Sequence, residues 1–211
     1  MPSTLCPFCE VQSHVTVRWG HVYQLGWRVR FAATCDNCKS ISVADGRPPS
    51  RHVTSDTTDN SLVLRTIASI PQQDLEWWPK VGQAPEVADV PEAISRAAKE
   101  AYSSASVGNH MAAILMARTV VEATAKSSGI SSGVLSAKIN AMKEKNLIRP
   151  AIAEQAHEVR FAGNDMAHGD IDVAPNATDS EEILALMGEV LSEVFQGPAR
   201  LERIRAKRRG A

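Results

Sequence analysis

The chain lacks any run approaching the roughly 18 consecutive apolar residues of a membrane helix. Its opening residues, Met-Pro-Ser-Thr-Leu-Cys, carry no basic stretch followed by an apolar one. Both absences predict a protein without a membrane span that stays in the cytoplasm. Neither sign of charge is in excess: 23 Lys and Arg against 24 Asp and Glu give a net charge of −1. No global attraction to nucleic acid or to an acidic membrane follows, so any such contact must come from a local patch. No period of roughly twenty to fifty residues recurs, which excludes a solenoid. Hydrophobic content of 44% and charged content of 22% are ordinary, which excludes wholesale disorder and a fibrous class.

Cysteine is scarce too, with four residues in the whole chain. All four fall into two pairs of the same spacing, Cys6-Pro-Phe-Cys9 and Cys35-Asp-Asn-Cys38. Two intervening residues let a pair present both thiolates from one tight turn, and four thiolates suit one tetrahedral Zn2+ ion. The alternatives are disulfides, for which there is no secretory signal, and a thioredoxin-like redox pair, which needs a βαβ context this segment lacks. Twenty-five residues separate the pairs. Within them Val15, Val17 and Trp19, then Trp27, Val29 and Phe31, alternate with polar neighbours, predicting a hairpin that returns the second pair to the first. With no fifth ligand close in sequence the site should be closed and structural, with His14 or His21 as the nearest imidazoles. Arg18, Arg28, Arg30 and Lys39 on or beside the hairpin could meet phosphates.

This organises the chain as a zinc-ribbon-like β module over 1–44, then a linker over 45–90 rich in Pro, Ser, Thr and Asp. Inside the linker, Trp77-Trp78-Pro79 should pack on the domain that follows, since two free indoles would expose a large apolar area. From Pro91 onward the pattern is helical, so the protein is mainly α, with a bundle of about five helices over 91–197. These run roughly over 91–106, 109–127, 132–146, 150–168 and 180–196. Thr178 with Glu181 predicts a capping box, and Ile183, Leu184, Met187, Val190, Leu191 and Val194 the apolar stripe behind it. Residues 198–211 form a basic tail with Arg200, Arg203, Arg205, Lys207, Arg208 and Arg209 against the single acid Glu202. It is either the solvated end of the last helix or a nucleic-acid contact through Arg203, Arg205, Lys207, Arg208 and Arg209.

Two polar groups of the helical region carry the remaining chemistry. Arg160, Asn164 and His168 fall at i, i+4 and i+8, on one helical face. Arg118 and Glu122 are spaced i, i+4 within an apolar helix. Read structurally, the five form one interhelical network that fixes helix register. Read functionally, His168 is a general acid or base, Arg160 stabilises developing phosphoryl charge and Asn164 orients substrate, with Arg118 and Glu122 in support. Those are the residue types that metal-free RNA cleavage through the 2′-hydroxyl needs.

The paired Cys knuckles, Trp77-Trp78-Pro79, Ala117-Arg118-x-x-x-Glu122 and Arg160-x-x-Gly163-Asn164-x-x-Ala167-His168-Gly169 together resemble the family called domain of unknown function 4145. The resemblance covers most of residues 75–197. It implies a helical domain found in bacteria and phages, alone or appended to restriction-enzyme subunits. More distantly the chain is similar to the HEPN group of helical bundles, many of them ribonucleases that pair Arg/His motifs across a homodimer. That resemblance implies a homodimer, RNA or a defence-system protein as partner, and a role in defence or counter-defence. The sequence departs from the HEPN pattern in placing seven residues between Arg160 and His168, with Gly163 one turn after Arg160.

Overall fold

Val29, Phe31 and Ala33 are buried at alternating positions, the period-2 pattern of a sheet with one covered face, and Val15 and Val22 of the preceding segment are buried with them. The computed structural model describes residues 2–168 and 172–210, apart from the side chains of Asp165 and His168. Its N-terminal unit, Met1–Val81, is built on an antiparallel meander: β1 (Ser3–Leu5), β2 (Gln12–Tyr23), β3 (Arg28–Cys35), β4 (Ile41–Gly46) and β5 (Leu75–Trp78), in that spatial order. One helix, α1 (Asn60–Ala68), covers one face. Asp59 caps it by accepting from the backbone N–H groups of Ser61 and Leu62, which satisfies two donors the helix leaves unpaired. Val63 and Ile67 of α1 then join Val22, Val29, Phe31, Ala44 and Leu75 in one core.

This corrects the expected linker over 45–90. The chain divides after Val81 rather than after residue 44, because 45–81 supplies the helix and the strand that complete the sheet's core. Trp77 and Trp78 lie in β5, paired to Ala44 and Val43. Trp77, expected against the helical domain, packs edge-on to Phe31 with ring centroids 5.5 Å apart. The indole is absorbed by the core of its own sheet.

The second unit, Gly82–Ala211, is helical, with α2 (Glu92–Ser106), α3 (His110–Ser127), α4 (Leu135–Glu144), α5 (Pro150–His168) and α6 (Ala177–Leu191). These are the five expected helices, with ends displaced by up to five residues. The early start of α6 has a local cause: the helix is capped by Asn176 and Asp179 rather than by Thr178 and Glu181. Asp179 N–H donates to Asn176 Oδ1 at 3.2 Å and Asn176 N–H to Asp179 Oδ2 at 2.8 Å, so the helix starts three residues early. A π-helical turn, Ser192–Gln196, then leads into α7 (Gly197–Arg209), which makes the basic tail helical. α3 is the central element, packed against α2, α4, α5 and α6. Ala113, Ala117, Val120 and Val121 bury its apolar side with Ile139, Met142, Val159, Met187 and Val190. Among the described residues no helix is long and apolar enough to cross a membrane.

Candidate functional site

The four cysteines converge in the N-terminal unit. Their Sγ atoms all lie within 4.8 Å of one another, with Cys6–Cys38 at 3.6 Å and Cys9–Cys35 at 4.0 Å. A disulfide sulfur pair stands about 2 Å apart, whereas sulfurs at the corners of a tetrahedron with metal bonds near 2.3 Å stand about 3.8 Å apart. The observed separations bracket the second value, and all four cysteines are free.

The two pairs are built alike. Glu10 N–H donates to Cys6 O and Lys39 N–H to Cys35 O, each at 2.9 Å. Cys6 N–H in turn donates to Val11 O at 3.1 Å and Cys35 N–H to Ser40 O at 2.9 Å. Glu10 and Lys39, the residues that reverse the chain, both have left-handed backbone angles, φ 56° and 67°. Each knuckle therefore closes on its own backbone bonds, and Asn37 of the second donates through Nδ2 to Cys9 Sγ of the first at 3.5 Å. The backbone N–H of Cys38, helped by the Ser13 hydroxyl, holds the Cys35 thiol down to about 6, while burial pushes Cys6 up to about 11. A cation needs all four as thiolates, and its own charge favours that form. The donor set and spacing fit a closed four-thiolate site able to hold a metal ion.

In the helical unit a second polar constellation joins three helices. Arg118 on α3 donates through Nε to Asn164 Oδ1 on α5 at 2.9 Å and lies 3.7 Å from Glu122 Oε2 through Nη1. Glu122 Oε1 accepts from Lys138 of α4 at 2.7 Å and from Lys126 at 3.0 Å. Lys138, its side chain only 5% exposed, is a buried ammonium answered by this carboxylate. Hydrogen bonds from Lys138 first and Lys126 second hold the Glu122 carboxyl down to about 2. Gly163 completes the arrangement: a Cβ there would meet Arg118 Cβ at 2.6 Å and Cδ at 2.7 Å. The arginine stem lies across the bare backbone of α5 while its head bonds the next residue, Asn164.

The structure thus brings Arg118, Glu122 and Asn164 together and adds Lys138. Spacing along the chain gave no signal for Lys138, which meets Glu122 only through the α3–α4 packing. Arg160 is elsewhere: its Nε donates to His157 Nδ1 at 3.4 Å and its guanidinium stacks over Phe161 at 3.8 Å. His157 in turn bonds Asn140 Oδ1 at 3.2 Å, and its pKa is lowered by burial and then by Arg160. The His168 side chain lies outside the described residues. In the tail, Arg203 pairs with Asp89, and Arg205 and Arg209 with Glu202 at 3.0 and 3.8 Å. Lys207 and Arg208 make no ion pair among the described residues. A further pair that sequence reasoning missed, His110 Nδ1 with Ser180 Oγ at 2.8 Å, is not a nucleophile and its base. Ser180 is fully buried and within 3.0 Å of Ala177 O, to which its hydroxyl donates, so no substrate can reach it.

Fold and site together define a two-unit protein: a cysteine-knuckle sheet that can hold a metal, and a helical bundle pinned by an Arg–Asn–Glu–Lys cluster. Residues 99–207, more than half of the chain, match the family described as Domain of unknown function (DUF4145). The chain belongs to that family. No curated protein and no solved structure matches it.

Proposed function

We propose that this protein is a zinc-binding, nucleic-acid-associated binding protein in which the Arg118–Glu122–Asn164 cluster is structural. The observation that carries the structural reading of that cluster is the commitment of Arg118. Its Nε is spent on Asn164, its Nη1 faces Glu122 and its stem is clasped against Gly163. A group that stabilises developing charge must have donors free where the substrate arrives. Cys6, Cys9, Cys35 and Cys38 would hold Zn2+, which ties the ends of the β2–β3 hairpin to the chain start and leaves no open coordination position. The bacterial or phage conflict setting implied by the family resemblance belongs to this proposal.

A second reading, a HEPN-like metal-independent ribonuclease acting as a homodimer, is favoured by a different residue. Arg160 makes no ion pair among the described residues and lies on Phe161, which is 49% exposed. His168 follows it two turns later on the same helix. The deciding experiment incubates purified protein and its His168→Ala variant with mixed structured and single-stranded RNA. The chelator used must be strong enough to remove free metal but not thiolate-bound zinc. One zinc per chain with intact RNA is expected. Cleavage that disappears in the variant would replace the binding reading with the ribonuclease.

A further inference from the structure

One face of the N-terminal sheet is taken up by α1; the other carries an ordered set of rings and guanidinium groups that the metal site does not use. Strand register puts Trp19, Ala32, Val43 and Trp78 in one row across β2 to β5, and His21, Arg30, Asp45 and Glu76 in the next. Tyr23 and Arg28 begin a third row. A register shift between Val17 and Trp19 marks a bulge, a device that re-aims side chains. Here it sets Arg18 beside Trp19, where its Nε reaches Thr34 Oγ1 at 2.9 Å. Along β2 the rings of Trp19, His21 and Tyr23 follow one another with centroids 6.4 and 5.9 Å apart. Trp19 is 56% exposed and Trp78 37%. Between these two indoles the row is floored by the small side chains of Ala32 and Val43.

The charge on this face is arranged as well. Asp45, its side chain fully buried, accepts from Tyr23 Oη at 2.5 Å, from Arg28 Nε at 2.8 Å and from Arg30 Nε at 3.0 Å. One carboxylate thereby fixes two guanidinium groups while leaving their Nη1 donors unpaired among the described residues. Glu76, another acid of the face, is paired with Lys80 at 3.2 Å, and Asp36 accepts from Thr16 Oγ1 at 2.6 Å. At the hairpin end Arg47 and Arg51 stand over Trp27, 5.5 and 5.2 Å from the ring centre. The exposed indoles of Trp19 and Trp78 and the half-buried rings beside Trp19, interleaved with held cations, suit a polyanion whose own units are flat rings. A duplex hides those rings in its stack, whereas a single strand leaves them free to stack on side chains, so the rings of this face favour a single strand.

We infer that this face binds single-stranded nucleic acid, with bases stacked on Trp19 and His21 and phosphates met by Arg18, Arg28 and Arg30, whose guanidinium covers the Tyr23 ring at 5.6 Å. The inference rests on the nucleic-acid-associated reading above and gives it a location. The test uses the full-length, zinc-loaded protein and fluorescein-labelled oligothymidylate or oligouridylate in separate arms, read by anisotropy. Saturable binding in at least one arm is expected, weakening as salt rises, and the arm that binds tells DNA from RNA. Trp19→Ala should lower affinity about tenfold, and Arg18→Ala should weaken binding and reduce its salt dependence by about one charge. Both side chains are exposed, so zinc content and helical signal should stay at the wild-type level in each variant. Absence of binding by zinc-loaded protein with intact oligonucleotide would overturn this inference alone. Binding that both variants leave unchanged, or that only deletion of 198–211 removes, would overturn it in favour of the basic tail. Cleavage of the oligonucleotide would instead overturn the non-catalytic reading, and the Trp19 dependence would still decide the face.

Discussion

Gly163 lies under the side chain of Arg118 so closely that a methyl group there would stand 2.6 Å from Arg118 Cβ. The neighbouring Asn164 receives the same arginine's Nε at 2.9 Å. Adjacent residues of α5 thus grip the stem and the head of one side chain from α3, which gives the Gly-Asn step a packing reason independent of any chemistry.

Replacing Gly163 by Ala pits two effects against each other. Helix propensity favours Ala by up to about 1 kcal/mol. Against it stands a clash with a Cβ that moves only with its backbone, and overpacking of this kind costs about 1–3 kcal/mol. The clash should win, so Gly163→Ala should unfold at lower denaturant concentration than wild type by helical circular dichroism. A stabilised variant would show that α3 and α5 are free to separate.

The head of the grip can be measured apart from the stem. Arg118→Ala, Asn164→Ala and the double variant should give a coupling energy of about 0.5–2 kcal/mol in a double-mutant cycle. Strict additivity would mean that the 2.9 Å bond contributes nothing to holding the helices.

Glu122 sets an acid limit on the helical unit. Its carboxyl, held down to about 2 by Lys138 and Lys126, ionises more readily folded than unfolded. A depressed pKa contributes stability that is present above the unfolded value, near 4.5, and is lost as pH falls toward 2. The contribution is at most about 3 kcal/mol, since a quarter of the side chain meets solvent. Glu122→Gln should remove this segment of the pH–stability curve. At neutral pH it should also destabilise by about 3–5 kcal/mol, because the buried Lys138 loses its counter-charge. An unchanged acid-unfolding profile would assign the Lys138 ammonium another partner.

How far these features were legible in the sequence depended on the range of the interaction that creates them. The convergence of the four cysteines was legible because each pair is a local motif, closed by bonds within six residues of Cys6 and of Cys35. α5 was legible end to end, from Pro150 to His168, because its period is intrinsic. Asn164 and Arg160 share a helical face yet separate in the structure: one turns to Arg118 and the other to Phe161, and periodicity does not encode which neighbour a face meets. Residues 45–81 were misread because α1 is nine residues long and β5 four, too short to rise above a Ser/Thr/Pro-rich background. Asp59 ahead of Leu62, Val63, Thr66 and Ile67 was a usable cap-and-stripe signal. The Asn176/Asp179 box competed with Thr178/Glu181 on equal sequence terms, and the earlier pair won.

Removal of the zinc proposed for the four cysteines should separate the two units spectroscopically, since all four tryptophans, Trp19, Trp27, Trp77 and Trp78, lie in Met1–Val81, whereas most of the helix lies in Gly82–Ala211. A structural zinc contributes on the order of 10–16 kcal/mol to the fold it organises, more than a sheet core of this size supplies by itself. A chelator strong enough to strip thiolate-bound zinc, or Cys35→Ser, should therefore shift tryptophan emission to the red as Trp77 leaves Phe31. The far-UV helical signal should largely remain, because the bundle has its own core around Ala117, Val121, Ile139 and Met187. Simultaneous loss of both signals would mean that the bundle folds only with the sheet in place. Emission that stays blue after zinc is gone would mean that α1 and Trp77 hold the sheet without its metal.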